Sequence, residues 1–127
     1  SLRLLLLVSM ALLCVVGRDT GTTSEELMPQ ITSRLVKEQS WWENGSHVHK
    51  YTIHFSNRNG ECVDRLGFDL KGGSIRDMWG IERYQKEGNN FFRTPQWLKV
   101  NGHSSNNAAG FIGVGNVRIE LDTLSAC

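Results

Sequence analysis

An antiparallel β-sandwich is the fold class this sequence predicts, and three observations lead to it. Apolar residues recur at every second position in His49-Tyr51-Ile53-Phe55, Leu66-Phe68-Leu70 and Val117-Ile119-Leu121, the period of strands buried on one face. Turn-forming pairs separate these runs: Asn44-Gly45, Asn59-Gly60, Gly72-Gly73, Gly88-Asn89 and Asn101-Gly102. No stretch beyond residue 17 carries the 3.6-residue period of an amphipathic helix. Thirteen glycines against two prolines suit short strands joined by tight turns.

Taken in order, the chain begins with Arg3 and an apolar run over residues 4–16, ending on small residues near Gly17. A basic flank, a short apolar core and a small-residue end predict a secretory signal peptide over residues 1–17, truncated at its start. The run falls short of the roughly 20 apolar residues that a spanning helix needs. Residues 18–30 are polar, from Asp19 through Glu26, and predict a flexible leader. The remaining residues 31–127 have the length of one domain. Besides the three clear strands, weaker strand patterns cover residues 31–42, 74–80, 81–85, 97–100 and 109–114. Strands at this spacing, with turns between them, are the pattern of a sandwich.

Charge and cysteine usage narrow the partners. A net charge of +1 with scattered basic residues gives no electrostatic footprint for nucleic acid or for an anionic membrane surface. No stripe of alternating aromatic and basic residues marks a single-strand binder. Of three cysteines, Cys14 leaves with the signal peptide, while Cys62 and Cys127 can pair in an oxidising compartment. Cys127 could equally bond a cysteine beyond the end of this sequence. The triplet Asn44-Gly45-Ser46 is an acceptor for N-glycosylation and at the same time a hairpin turn.

Four tryptophans, Trp41, Trp42, Trp79 and Trp97, stand out in so short a chain. One tryptophan in a sandwich is ordinarily core, because an indole buries a large apolar area. Neighbours on a strand point to opposite faces, so the Trp41–Trp42 pair predicts at least one outward indole. An outward indole suits a sugar: pyranose rings present a face of axial C–H groups that docks on the negative π face. Catalytic and metal chemistry is less well supported. Asp64 with Asp69, or Glu82 with Glu87, lacks any mark of a fixed glycosidase separation. His47 and His49 share a strand face near His54, but a metal site wants three or four ligands and the only further histidine is His103. Gly110-x-x-Gly113-x-Gly115 lacks the Lys-Ser/Thr of a phosphate loop. No catalytic residue, metal or cofactor is expected.

Five segments occur in order: Ser40-Trp41-x-x-Asn44-Gly45, Lys50-Tyr51-Thr52-Ile53 through Ser56-Asn57, Leu66-Gly67-Phe68, Met78-Trp79-Gly80-Ile81, and Thr94-Pro95-Gln96-Trp97-Leu98. On these the chain resembles the carbohydrate-binding modules of family 49, known from plant endoglucanases and from wall proteins of slime moulds and amoebae. The resemblance implies a sandwich that binds cellulose or a related β-glucan without catalysis. It implies Trp41, Trp79 and Trp97 as ligand contacts, and Trp42, where the family has a non-aromatic residue, as an extra packing residue. The stretch over residues 84–90, Cys62, and Phe111-Ile112-Gly113 depart from the family pattern and bear on ligand preference. A module directly behind a signal peptide points to a secreted wall lectin with a polysaccharide partner. Two other readings remain: an immunoglobulin-like adhesion module that binds protein, and the first module of a longer secreted glycoside-active protein.

Overall fold

The computed structural model describes residues 24–84 and 91–127. The predicted signal peptide and residues 18–23 of the predicted leader lie outside these residues. From Ser24 the leader expectation is corrected: Ser24–Leu27 form one helical turn (α1) and Met28–Gln30 a 3₁₀ turn. Leu27 is fully buried, because it continues the apolar core that Ile31 enters from the same end. A single buried leucine within a polar run leaves no mark in composition.

Eight strands follow: β1 (Ile31–Glu43), β2 (Ser46–Asn57), β3 (Val63–Lys71), β4 (Ser74–Trp79), β5 (Glu82–Arg83), β6 (Phe91–Arg93), β7 (Ser105–Val114) and β8 (Arg118–Ala126). They make two four-stranded sheets, β1-β2-β7-β4 (sheet A) and β5-β6-β3-β8 (sheet B), and every pairing is antiparallel. The predicted antiparallel β-sandwich is the observed fold. Tyr51, Ile53 and Phe55 from sheet A meet Leu66, Phe68, Leu70 and Phe92 from sheet B in the core. The expected strand at residues 97–100 is instead a turn that returns to form a single bridge from Val100 to Val63. Its apolar residues alternate only once before Pro95 and Gly102 interrupt them. The short β6 escaped the sequence reading because three residues are too few to show a period.

The β1–β2 hairpin turns at Asn44 and Gly45, both at positive φ (50° and 80°). This is the mirror-image turn that Asn-Gly favours, since its twist matches that of the flanking strands. At the far end of sheet B, Cys62 and Cys127 form a disulfide, with Cα atoms 5.4 Å apart. It ties the start of β3 to the end of β8, beside a hydrogen bond in which the Cys127 N–H donates to the Cys62 carbonyl (3.0 Å).

Candidate functional site

Residue parity on a strand decides which side chains reach the outer face of sheet A, and two bulges set that parity. On β1, inward Leu35 pairs with Ile53 and Lys37 with Tyr51, but Gln39 then pairs with Lys50. Glu38 is the extra residue. A bulge re-aims every side chain beyond it, so Trp41 points outward and Trp42 inward. On β4, inward Ile75 pairs with Gly113, yet Asp77 pairs with Ile112. Arg76 is the extra residue there, and the shift turns Trp79 outward. Without either bulge, Trp41 and Trp79 would share the parity of Leu35 and Ile75 and face the core.

Three rows of directly opposed residues then cross the outer face. Trp41, Val48, Val114 and Ser74 form one; Gln39, Lys50, Ile112 and Asp77 the next; Val36, Thr52, Gly110 and Trp79 the third. The two indoles occupy opposite corners of a sheet patch. Four residues along the strand and three strand spacings across put their Cα atoms on the order of 20 Å apart, a span of several sugar rings. Three hydrogen-bonding side chains, Gln39, Lys50 and Asp77, stand in the row between them.

Each indole is seated. Trp79 lies flat across the sheet: a Cβ added at Gly110 would stand 2.4 Å from its Cζ2 and 2.6 Å from its Cε2. Only glycine lets the ring come that close to the backbone. The Lys50 ammonium lies 5.7 Å from the Trp79 ring centroid, a cation–π distance. Val48, in the row with Trp41, is fully buried although it points outward, so neighbouring side chains close over it. Glu43, at the end of β1, pairs with Arg76 of β4 across the width of the sheet. The Arg76 hydrogen bond and charge hold the Glu43 carboxyl below its usual range, against a smaller effect of burial, and the Trp41 side chain adds a further hydrogen bond.

Trp97 sits elsewhere, 67% exposed, on the turn after β6. Its backbone is tethered on both sides: the Thr94 N–H donates to the Leu66 carbonyl (2.9 Å) and the Leu98 N–H to that of Pro95 (3.0 Å). The Asn106 amide donates to the Lys99 carbonyl (2.9 Å), linking this turn to the start of β7. The structure thus places Trp41 and Trp79 on one sheet face and Trp97 on a loop at the β6 side of sheet B. Trp42 corrects an expectation. It is 70% exposed and is no core packing residue, because β1 overhangs the core at that point; it stacks instead on His47.

Asn44 is exposed at the hairpin tip. Glu82 of the weighed carboxylate pairs bonds Arg93 (3.0 Å), and Glu87 lies outside the described residues. Among the described residues, no group of three or more His, Cys, Asp or Glu is arranged to hold a metal ion. The sequence offered Lys50 only within a motif and Gly110 only as part of a rejected phosphate loop, and it did not point to the Glu43–Arg76 pair. Only the register exposes them, since it alone brings β1, β2, β7 and β4 into common rows.

The sequence profile of the carbohydrate binding domain CBM49 matches residues 31–112. No curated protein matches the chain. Among solved structures, the chain is similar to chitinase ChiA74 from Bacillus thuringiensis, at 16% identity and a TM-score of 0.49. That similarity covers 78% of this chain and 15% of the chitinase chain.

Proposed function

The chain belongs to the CBM49 family of carbohydrate-binding domains, and from that premise we propose that its ligand is cellulose or a related β-glucan, held on the outer face of sheet A. The observation that carries the reading is the pair of bulges at Glu38 and Arg76, which turn Trp41 and Trp79 to the same face. Flat indoles present apolar area to the C–H faces of sugar rings, while Gln39, Lys50 and Asp77 between them can reach hydroxyl groups. Trp97, exposed on its tethered turn beside sheet B, is a separate ligand contact in this reading. The protein acts as a secreted wall lectin, and Asn44 at the hairpin tip carries an N-linked glycan. No step of bond making or breaking is assigned to it.

Adsorption to microcrystalline cellulose tests this, measured as depletion from the supernatant over a range of protein loads. An indole that loses roughly 100 Å² of contact at about 25 cal/mol per Å² weakens binding by roughly 50- to 100-fold. Trp79→Ala and Trp41→Ala are each expected to approach that loss, and Trp97→Ala to lose less, as one edge contact. Parallel arms with chitin and with a soluble β-glucan rank the ligands. If the parent protein stays in the supernatant at every load on cellulose, the cellulose assignment fails.

A further inference from the structure

The most exposed ring on sheet A is not on its outer face. Trp42, beyond the β1 bulge, projects from the inner face where the strand overhangs the core. One side of its indole is parallel to the His47 ring, with centroids 4.4 Å apart and planes 5° apart. Behind His47 a continuous file of rings runs into the core: His47–His49 at 4.2 Å, His49–Tyr51 at 5.6 Å and Tyr51–Phe111 at 4.8 Å. Hydrogen bonds fix the file along its length. Ser40 Oγ and His49 Nδ1 are 2.6 Å apart. The Tyr51 hydroxyl donates to the Gly115 carbonyl (3.0 Å) and accepts from the Val117 N–H (3.2 Å).

An exposed indole held in one orientation is unusual on energetic grounds. Ordering a free side chain costs conformational entropy, and a ring already fixed before ligand arrives avoids that cost on binding. Here His47 covers one π face and leaves the other to solvent.

Resting on the assignment of this domain to β-glucan, we propose that Trp42, backed by His47, is a second stacking platform for a pyranose ring. It lies on the opposite side of β1 from Trp41. The domain then grips glucan at two places separated by the thickness of one strand: the broad outer face, and a single ring at the open end of the sandwich. His47 is a positioning residue, acting through the orientation it gives Trp42.

Adsorption to microcrystalline cellulose again provides the test, with variants in two backgrounds. Trp42→Ala is expected to weaken adsorption by about tenfold, from one open indole face, with the thermal midpoint unchanged. The Trp41→Ala/Trp79→Ala protein is expected to keep a weak adsorption that adding Trp42→Ala removes. His47→Ala should reproduce the loss seen with Trp42→Ala, and His47→Phe, which keeps a flat ring, should restore it. A Trp42→Ala isotherm that superimposes on the parent in both backgrounds overturns the second platform and leaves the outer face intact. A parent protein that does not adsorb at all overturns both.

Discussion

The outer faces of the two sheets are built from the same strand chemistry and differ in how their charges are used. On sheet B, side chains neutralise one another locally: Lys71 bonds Glu120 of the neighbouring strand (2.9 Å) and Arg93 bonds Glu82 (3.0 Å). The exposed aromatic Tyr84 is capped, with the Arg93 guanidinium 4.7 Å from its ring centroid. On sheet A, one such pair, Glu43 with Arg76, joins the two edge strands, but the rows between the outward indoles hold glycine and aliphatic residues, and Lys50 there approaches the Trp79 ring instead of a carboxylate. Sheet B also carries the disulfide. The contrast separates two tasks within one sandwich: sheet B ties the chain, and sheet A presents a surface.

If that division holds, the largest effect on stability comes from sheet B and leaves binding alone. The Cys62–Cys127 bond closes a loop with a sequence separation of 65 residues, and in the chain-entropy account such a closure contributes about 4 kcal/mol. Cys62→Ser with Cys127→Ser is therefore expected to lower the thermal midpoint by roughly 15 °C or more. Well below that midpoint, its cellulose isotherm should match the parent. A loss of adsorption in a protein still folded by circular dichroism would break the division.

The next effect is smaller and falls on sheet A. Gly110→Ala adds one methyl group, whose carbon would stand 2.4 Å from the Trp79 ring and 2.5 Å from the Tyr51 carbonyl oxygen. The ring can lift away, but the backbone cannot yield as easily. Overpacking of this kind costs about 1–3 kcal/mol, and a lifted indole no longer lies flat for a sugar. We expect both a lower midpoint and adsorption weakened by more than about tenfold, at the level of a lost ring contact. Unchanged values of both would show that Trp79 does not rest on Gly110.

The same bulges explain what could and could not be read from sequence. Strand positions followed from alternation, so Tyr51, Ile53, Phe55, Phe68 and Leu70 were legible as core. The opposite facing of Trp41 and Trp42 followed from strand geometry alone. Which of the two faces outward did not, because one extra residue at Glu38 reverses the answer and leaves no mark in composition. Counting from Ile31 without it would put Trp42 on the outer face. The same holds for Arg76 and Trp79. Pairings across strands are long-range facts, so the seat at Gly110, the Lys50 contact and the Glu43–Arg76 pair stayed out of reach. Motif order identified the tryptophans worth watching; register decided what they do.

The smallest effect concerns the inner side of sheet A, where binding and stability meet. His49 is buried, and burial, followed by the charges of Lys37 and His47, pushes its imidazole below the ordinary value near 6.5. The unfolded chain, with His49 in water, therefore takes up a proton more readily than the folded one between the depressed value and 6.5. Stability from this group is complete above about pH 6.5 and is lost as the pH falls toward the folded value. Over the window from about pH 7.5 down to about pH 5, the midpoint should fall more steeply in the parent than in His49→Gln, which cannot titrate. Carboxylates such as Glu43, held below their usual range, lose their contribution only at lower pH, so the difference between the two proteins isolates the imidazole. Because His49 also stands behind His47 in the ring file, acidification should weaken the Trp42 contribution to adsorption while the Trp79 contribution stays constant. Equal pH slopes for the two proteins would mean that His49 titrates as though exposed, and the ring file would then not be the rigid support that an ordered Trp42 requires.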